Sequence, residues 1–217
     1  MKIAIISDVH CKWDKLVIPE CDILISCGDY SFYGEQHIVR EFHSWLDVQP
    51  AKHIISVQGN HEVWVEKNFN DAKLEAKAVC PRVHFVDEGM IKIGELKIWC
   101  SSWTPFFRNW AYNALRGDEI KRHWDVIPDD VNILVTHGPP SGILDITYWM
   151  GVPKERVGCV DLLNKILTLK QLKLHCFGHI HNESGETEIN GVKFINAAIC
   201  DKMYTPINPV RIFEYET

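Results

Sequence analysis

Short runs of aliphatic and β-branched residues recur along the chain, and most end in a glycine or a polar cluster. Eleven of them read as strands: Ile3–Ser7, Asp22–Cys27, His53–Val57, Val83–Val86, Met90–Ile93, Leu96–Ser101, Asn132–Thr136, Leu172–Phe177, Glu186–Ile189, Val192–Asn196 and Val210–Tyr215. Ile38, Val39, Phe42, Trp45 and Leu46 keep helical spacing, which predicts a helix over Glu35–Val48. Asp71–Val79, Asp118–Trp124 and Cys159–Lys170 also read as helices. Hairpin turns are expected at Gly94-Glu95 and at Asn190-Gly191, the second being the favoured pair for a type I′ turn. Strand and helix alternate in the first half, and hairpins are commoner in the second. The pattern predicts α/β layers with partly mixed sheets. No repeat, low-complexity stretch or linker interrupts the 217 residues, so one domain over 1–217 is expected.

Polar residues gather where these strands end. Ile3–Ser7 leads into Asp8-Val9-His10, and Asp22–Cys27 into Gly28-Asp29. His53–Val57 leads into Gly59-Asn60-His61-Glu62. Asn132–Thr136 is followed by His137, and Leu172–Phe177 by Gly178-His179-Ile180-His181. Alone, Asp-x-His is an ordinary solvated loop and Gly-Asp an ordinary turn. Five such clusters in one position relative to a strand point instead to a shared crevice at the carboxyl ends of neighbouring strands.

Two carboxylates, one amide and four imidazoles make seven donors, more than one tetrahedral zinc takes. With one carboxylate shared, they suit two borderline metals about 3.5–4 Å apart. Nitrogen and oxygen donors without thiolate favour manganese, iron, zinc, cobalt or nickel over calcium. Two divalent ions, two aspartates and a bridging hydroxide leave a charge of roughly +1, a local trap for phosphate.

Composition narrows the field. The chain is 46% hydrophobic and 24% charged, as a globular protein is. Its formal charge of −6 carries no basic stripe for long nucleic acid. None of the eight cysteines forms a C-x-x-C pair, and several sit in apolar runs, so free thiols are expected. "MKIAIISD" is too short an apolar stretch for a signal sequence, and no 18-residue apolar run exists. A soluble cytoplasmic protein with no membrane contact is expected.

Asp8-x-His10, Gly28-Asp29, Gly59-Asn60-His61-Glu62, His137 and Gly178-His179-x-His181 together resemble, in order, the five motifs of the calcineurin-like metallophosphoesterases. "SSWTPFFRNWAYNALRG", "THGPP", "RVGCVDLLN" and "INAAIC" extend the likeness over nearly the whole chain. They resemble the metallophosphoesterase-domain-containing branch, related to class III cyclic-nucleotide phosphodiesterases. The resemblance implies a two-sheet β-sandwich flanked by helices, a four-layer αββα fold with a binuclear centre at the strand ends. It implies that Asp8, His10 and His181 bind one metal, that Asn60, His137 and His179 bind the other, and that Asp29 bridges. Two divalent or mixed-valence transition metals follow, manganese being the one expected to serve in vitro. His61 then faces the substrate, where its imidazole stabilises developing charge or protonates the leaving group. Glu62 has two readings, a carboxylate that orders the loop and its ligands, or one at a helix N-terminus or on the surface.

One departure bears on substrate. Serine/threonine phosphatases of the wider family continue the second motif as G-D-Y-V-D-R-G, whereas this chain reads Gly28-Asp29-Tyr30-Ser31-Phe32-Tyr33-Gly34. The aspartate that would partner His61 is Phe32, and the phosphate-gripping arginine is Tyr33. Losing a bidentate arginine weakens the hold on a dianionic monoester more than on a diester. The expected activity is hydrolysis of small phosphodiesters, cyclic nucleotides among them, by a metal-bridging hydroxide. A broad phosphomonoesterase and a nucleotide-binding regulator with weak catalysis are the alternatives. Around the site, Trp103, Phe107, Arg108 and Arg116 are candidate substrate contacts, the aromatics as a stacking platform or as plugs against the core. "TYWMGVP", residues 147–153, invites the same two readings. His37, His43, His53, His84, His123 and His175 read as structural or surface histidines.

Overall fold

A computed structural model describes residues 1–149 and 151–216. From the amino terminus, the chain forms β1 (Lys2–Ile6), β2 (Cys21–Ser26), α1 (Gln36–Asp47), β3 (Ala51–Val57), α2 (Val63–Lys67), α3 (Phe69–Val79) and β4 (Val83–Val86). It continues through β5 (Glu88–Ile93), β6 (Leu96–Ser101), β7 (Thr104–Pro105), β8 (Asn113–Ala114), α4 (Asp118–Asp125) and β9 (Ile133–Thr136). The last part holds β10 (Ile146–Trp149), β11 (Val152–Arg156), α5 (Val160–Ile166), β12 (Leu174–Phe177), β13 (Gly185–Ile189), β14 (Val192–Asn196) and β15 (Arg211–Glu214).

Two large sheets result, ordered β15-β1-β2-β3-β4 and β13-β14-β12-β9-β6-β5. Their central strands run parallel, and antiparallel neighbours close the edges except at β4. Alternation along each strand decides what each face buries. Ile3, Ile5, Ile23, Ile25, Ile55 and Val57 turn toward the second sheet and meet Ile98, Ile133, Val135, Leu174 and Ile195. Ala4, Ile6, Leu24 and Ile54, one position out of phase, pack under Val39, Phe42 and Leu46 of α1 and Ala72 and Ala76 of α3. On the far side, Leu134, Phe177 and Phe194 receive Ile120 and Trp124 of α4 and Leu162 and Ile166 of α5. The order of layers is helix, sheet, sheet, helix, the four-layer sandwich that the resemblance implies.

All eleven expected strands form, three with the expected ends and the rest shifted by at most two residues. Both hairpins turn where expected, and Asn190 and Gly191 have φ of +52° and +76°, as a type I′ turn requires. Sequence patterning misses the β10–β11 hairpin, because β11 is exposed along its whole length and shows no alternation. It also misses α2 and the two-residue strands β7 and β8, which are too short to establish a period. Residues 147–153 fall on that hairpin, with Met150 outside the described residues. All eight cysteines are free thiols, seven of them buried. No helix among the described residues is long and apolar enough to cross a membrane.

Two of the non-site histidines, His43 and His175, are core groups. His43 donates from Nδ1 to the Val39 carbonyl at 2.7 Å, and its Nε2 accepts from the Ser56 hydroxyl at 3.0 Å. Burial pushes its pKa from 6.5 down to about 4. The unfolded chain therefore takes up a proton near pH 6.5 that the folded chain refuses until about pH 4. The stability that neutral His43 contributes is complete above pH 6.5 and is lost as the pH falls through the folded value. Urea unfolding should show a loss on the order of 3 kcal/mol from this group between pH 7 and pH 4. His43→Phe should flatten that part of the pH dependence; an unchanged slope would contradict the assignment.

Candidate active site

The five strand-end clusters converge where the two sheets meet. Loops after β1, β2 and β3 supply Asp8 and His10, Asp29, and Asn60 and His61; loops after β9 and β12 supply His137, and His179 and His181. Backbone bonds lace these loops together: Asp8 N–H to the Gly28 carbonyl, His10 N–H to the Asp29 carbonyl, and Gly178 N–H to the His137 carbonyl. The Asp8 carboxylate joins the sheets by accepting from the His179 N–H at 2.9 Å. Four residues of the cluster, Asp8, His10, Asp29 and His179, have φ between +40° and +69°. Such non-glycine backbone costs about 1–3 kcal/mol per residue and persists only where the surroundings over-determine it.

Three sets of donor atoms each lie within 4.8 Å of one another: Asp8, His10 and His181; His10, Asp29 and His61; and Asp29, His137 and His179. His10 and His181 bring their Nε2 atoms to 3.2 Å, and His181 Nε2 lies 3.2 Å from Asp8 Oδ1. His137 Nε2 lies 2.9 Å from Asn60 Oδ1 and 3.3 Å from Asp29 Oδ2.

The other ring nitrogens explain this crowding. His10 Nδ1 faces the Ser31 carbonyl at 3.1 Å, His137 Nδ1 the Cys27 carbonyl at 2.8 Å, and His181 Nδ1 the Asp201 carbonyl at 2.8 Å. A carbonyl only accepts, so each Nδ1 carries its proton and each Nε2 lone pair is aimed inward, as metal-ligating histidines are held. His10 and His181 Nε2, 3.2 Å apart, need a proton or a metal cation between them, since two facing lone pairs would repel. Burial drives the pKa of His10 and of His179 down to about 4, which favours neutral rings. Burial also opposes charge on His137 and His181, yet Asp29 and Asp8 outweigh it and raise both to about 9. Burial works to raise Asp8, but His181 overrides it and brings that carboxyl to about 2. Protons on His137 and His181 thus occupy positions between nitrogen and carboxylate that a metal ion fits. The donor set is nitrogen and oxygen throughout, and it fits two borderline divalent metals.

Glycines make this convergence possible by leaving space. A Cβ on Gly178 would stand 2.0 Å from Asp8 Oδ2, and one on Gly59 would stand 2.3 Å from Asp29 Oδ1.

Glu62 resolves toward the loop-ordering reading. It is fully buried, and its side chain caps no helix although it precedes α2. It accepts from the N–H groups of Asp29 at 2.8 Å, Gly59 at 2.7 Å and Ser31 at 3.1 Å, and from the Ser31 hydroxyl at 2.8 Å. Burial and the Asp29 carboxylate push its pKa up to about 8. Four donors leave a carboxyl proton no acceptor, so these hydrogen bonds favour the ionised form and work against that rise.

The group that orients His61 is the Phe32 main chain. His61 Nδ1 donates to the Phe32 carbonyl at 3.0 Å. Its N–H donates to Asp29 Oδ1 at 2.8 Å, and its ring lies 4.3 Å from that of Trp110. Nε2 is left facing the cluster, 3.9 Å from Asp29 Oδ2.

The four expected substrate contacts fare differently from the cluster. Trp103 stacks on His123 at 4.0 Å and meets the edge of Tyr112, which makes it a plug and not a platform. Arg116 donates to the carbonyls of Val157 and Gly158 and so pins the segment after β11. Phe107 and Arg108 are exposed and pack on one another. The aromatics beside the cluster are others. Trp110 stacks between His61 and Tyr33, and Tyr204 packs edge-on against His10 at 4.6 Å and against Phe32 at 5.2 Å. A cavity of about 270 Å³ opens beside His179 and His181, lined also by Thr147, Tyr148, Asn182, Lys202 and Tyr204. Hollows of about 530 Å³ lie elsewhere on the surface, one along β13 and β15 and one along α4, and neither contains a donor cluster among the described residues.

The profile of the calcineurin-like phosphoesterase family matches residues 1–183. Metallophosphoesterase domain-containing protein 1 of Homo sapiens is 32% identical over 231 residues, covering 98% of this chain and 70% of the human protein. Among solved structures, phosphopantetheinyl hydrolase from Mycobacterium tuberculosis is similar, with a TM-score of 0.63 and 14% identity over 94% of this chain and 90% of that one. A novel archaeal phosphodiesterase aligns with a TM-score of 0.53 and 17% identity over 99% of this chain and 93% of that one. At such identities the two structures establish a shared fold.

Proposed function

The chain belongs to the calcineurin-like phosphoesterase family, and from that premise we propose that it is a binuclear-metal phosphodiesterase acting on small diesters. The observation that carries this reading is the placement of Asp29 in two of the three donor sets, with His10 in one and with His137 and His179 in the other. In this reading Asp8, His10 and His181 would hold one metal and Asn60, His137 and His179 the second, with Asp29 as the shared carboxylate. Such metals, when bound, supply Lewis-acid charge to phosphoryl oxygens and lower the pKa of water to provide a nucleophile.

The protein's own groups do the rest. Asn60 donates a neutral oxygen, which leaves the site positive toward an anion. The Nδ1 tethers hold the histidines in one tautomer, and Glu62 fixes the three loop N–H groups around them. His61, held at Nδ1 by the Phe32 carbonyl, presents Nε2 to the cluster, and as the imidazolium it would give the Nε2 proton to the leaving oxygen and return to the neutral ring. His61→Asn should lower kcat on a diester about a hundredfold while the bound metal content stays unchanged. A loss of metal, or an unaltered kcat, would contradict this role.

Preference for diesters rests on residue 33. Tyr33 turns onto Trp110 at a ring separation of 6.0 Å and offers no guanidinium to a second phosphate charge. The test compares bis-p-nitrophenyl phosphate with p-nitrophenyl phosphate on metal-stripped protein refilled with manganese. Manganese-dependent cleavage that favours the diester supports the reading. Preference for the monoester would make the protein a phosphomonoesterase, and no turnover of either would make it a nucleotide-binding regulator.

A further inference from the structure

The segment 201–205 lies beside the cluster and is locked to it. The Asp201 carbonyl accepts from His181 Nδ1 at 2.8 Å and from the Tyr204 N–H at 2.9 Å. Asp201 Oδ1 accepts from Met203 N–H at 2.8 Å and Thr205 N–H at 2.9 Å, and Asp201 N–H donates to the Thr205 carbonyl at 2.9 Å. Just upstream, Cys200 N–H donates to the Asp8 carbonyl, and Ile199 N–H to that of Ser7. Tyr204 holds φ at +59°, a strained value for a bulky side chain, and lays its ring against His10, Phe32 and His181. This loop is therefore built at a cost beside the donors, and it carries one cation, Lys202.

Lys202 is exposed and lines two cavities of about 270 Å³, both of which also include His181 and Asn182. It is the only lysine or arginine in either lining among the described residues. Arg156 pairs with Asp145 at 2.6 Å, Arg116 binds two carbonyls and Arg108 lies over Phe107, while Lys12, close to Cys200, lines neither cavity. Lys202 has no carboxylate within ion-pair distance among the described residues, whereas Lys193 and Lys165 both do.

We propose that Lys202 is the phosphate-holding cation of this site, supplying from the β14–β15 connection the anion contact that Tyr33 does not. The proposal rests on the phosphodiesterase reading and adds to it a determinant of specificity. An ammonium on a flexible stem makes a single-point contact with a non-bridging oxygen, where an arginine fork would make two. Such a hold suits a monoanionic diester and sets the residual affinity for dianionic monoesters and inorganic phosphate.

The test uses manganese-loaded wild type, Lys202→Gln and Lys202→Arg, all expected to melt alike because the side chain is exposed. Calorimetry with inorganic phosphate should show affinity about tenfold weaker in Lys202→Gln and restored in Lys202→Arg. In turnover, Lys202→Gln should raise KM more than it lowers kcat, and kcat/KM for p-nitrophenyl phosphate should fall further than for the bis-ester. Phosphate affinity and substrate ratio equal to wild type in an active Lys202→Gln protein would overturn the clamp alone. A wild type that neither binds phosphate nor turns over either ester would overturn the phosphodiesterase reading, and the clamp with it.

Discussion

Asp29→Asn should abolish nearly all hydrolysis, lowering kcat/KM about a thousandfold or more. Asp29 is the carboxylate common to two donor sets: Oδ2 lies 3.3 Å from His137 Nε2, and Oδ1 accepts from the His61 N–H at 2.8 Å. Asparagine has the same shape but no charge, and one of its two polar ends donates. It therefore weakens both halves of the cluster at once and leaves the surrounding histidines without the anion that balances a metal pair. The fold should survive, because Glu62 grips residue 29 through its main-chain N–H and not through its carboxylate. The measurement pairs kcat/KM on bis-p-nitrophenyl phosphate with metal content by mass spectrometry. Wild-type turnover in this variant would remove Asp29 from the chemistry.

Gly178→Ala should produce the second largest effect, through space alone. The new methyl would stand 2.0 Å from Asp8 Oδ2 and 2.1 Å from Ser7 Oγ, so the Asp8 carboxylate must leave its place beside His181. Overpacking of this kind costs about 1–3 kcal/mol of stability. One metal should be lost with it, since Asp8, His10 and His181 no longer converge. Gly185→Ala is the control: its methyl would meet nothing closer than 3.7 Å, and it should keep both stability and metal. A Gly178→Ala protein that binds two metals as tightly as wild type would show that the Asp8 position is dispensable.

Much of this site is legible in the amino-acid sequence, because strand ends are easy to see. Apolar runs such as Ile3–Ile6 and Ile133–Thr136 stop abruptly, and Asp8, His10 and His137 stand just beyond them. The division of ligands between two metals comes from the family resemblance and not from spacing. What stays hidden depends on contacts that leave no periodic mark. Glu62 stands next to His61 in the chain, but its role comes from N–H groups on another loop, about thirty residues away. The partner of His61 is a main-chain carbonyl, which no residue type announces.

Aromatic content misleads for a related reason. Trp103 and Trp110 lie in one short run, and composition does not say which faces the cluster. The chain turns between them through β7 and toward β8, so Trp103 packs on His123 while Trp110 meets His61. Lys202 and Tyr204 lie outside every motif, and their loop reaches the site through tertiary contacts such as the bond from His181 to the Asp201 carbonyl.

Everything proposed for this site requires that the strand-end cluster hold a pair of metals and not a single ion. Manganese titrated into the stripped protein and followed by electron paramagnetic resonance tests this most directly. Binding should saturate at two ions per chain, with the spin-coupled spectrum of ions about 3.5–4 Å apart, and turnover should grow with that signal. Saturation at one ion, with an uncoupled six-line spectrum throughout, would contradict it.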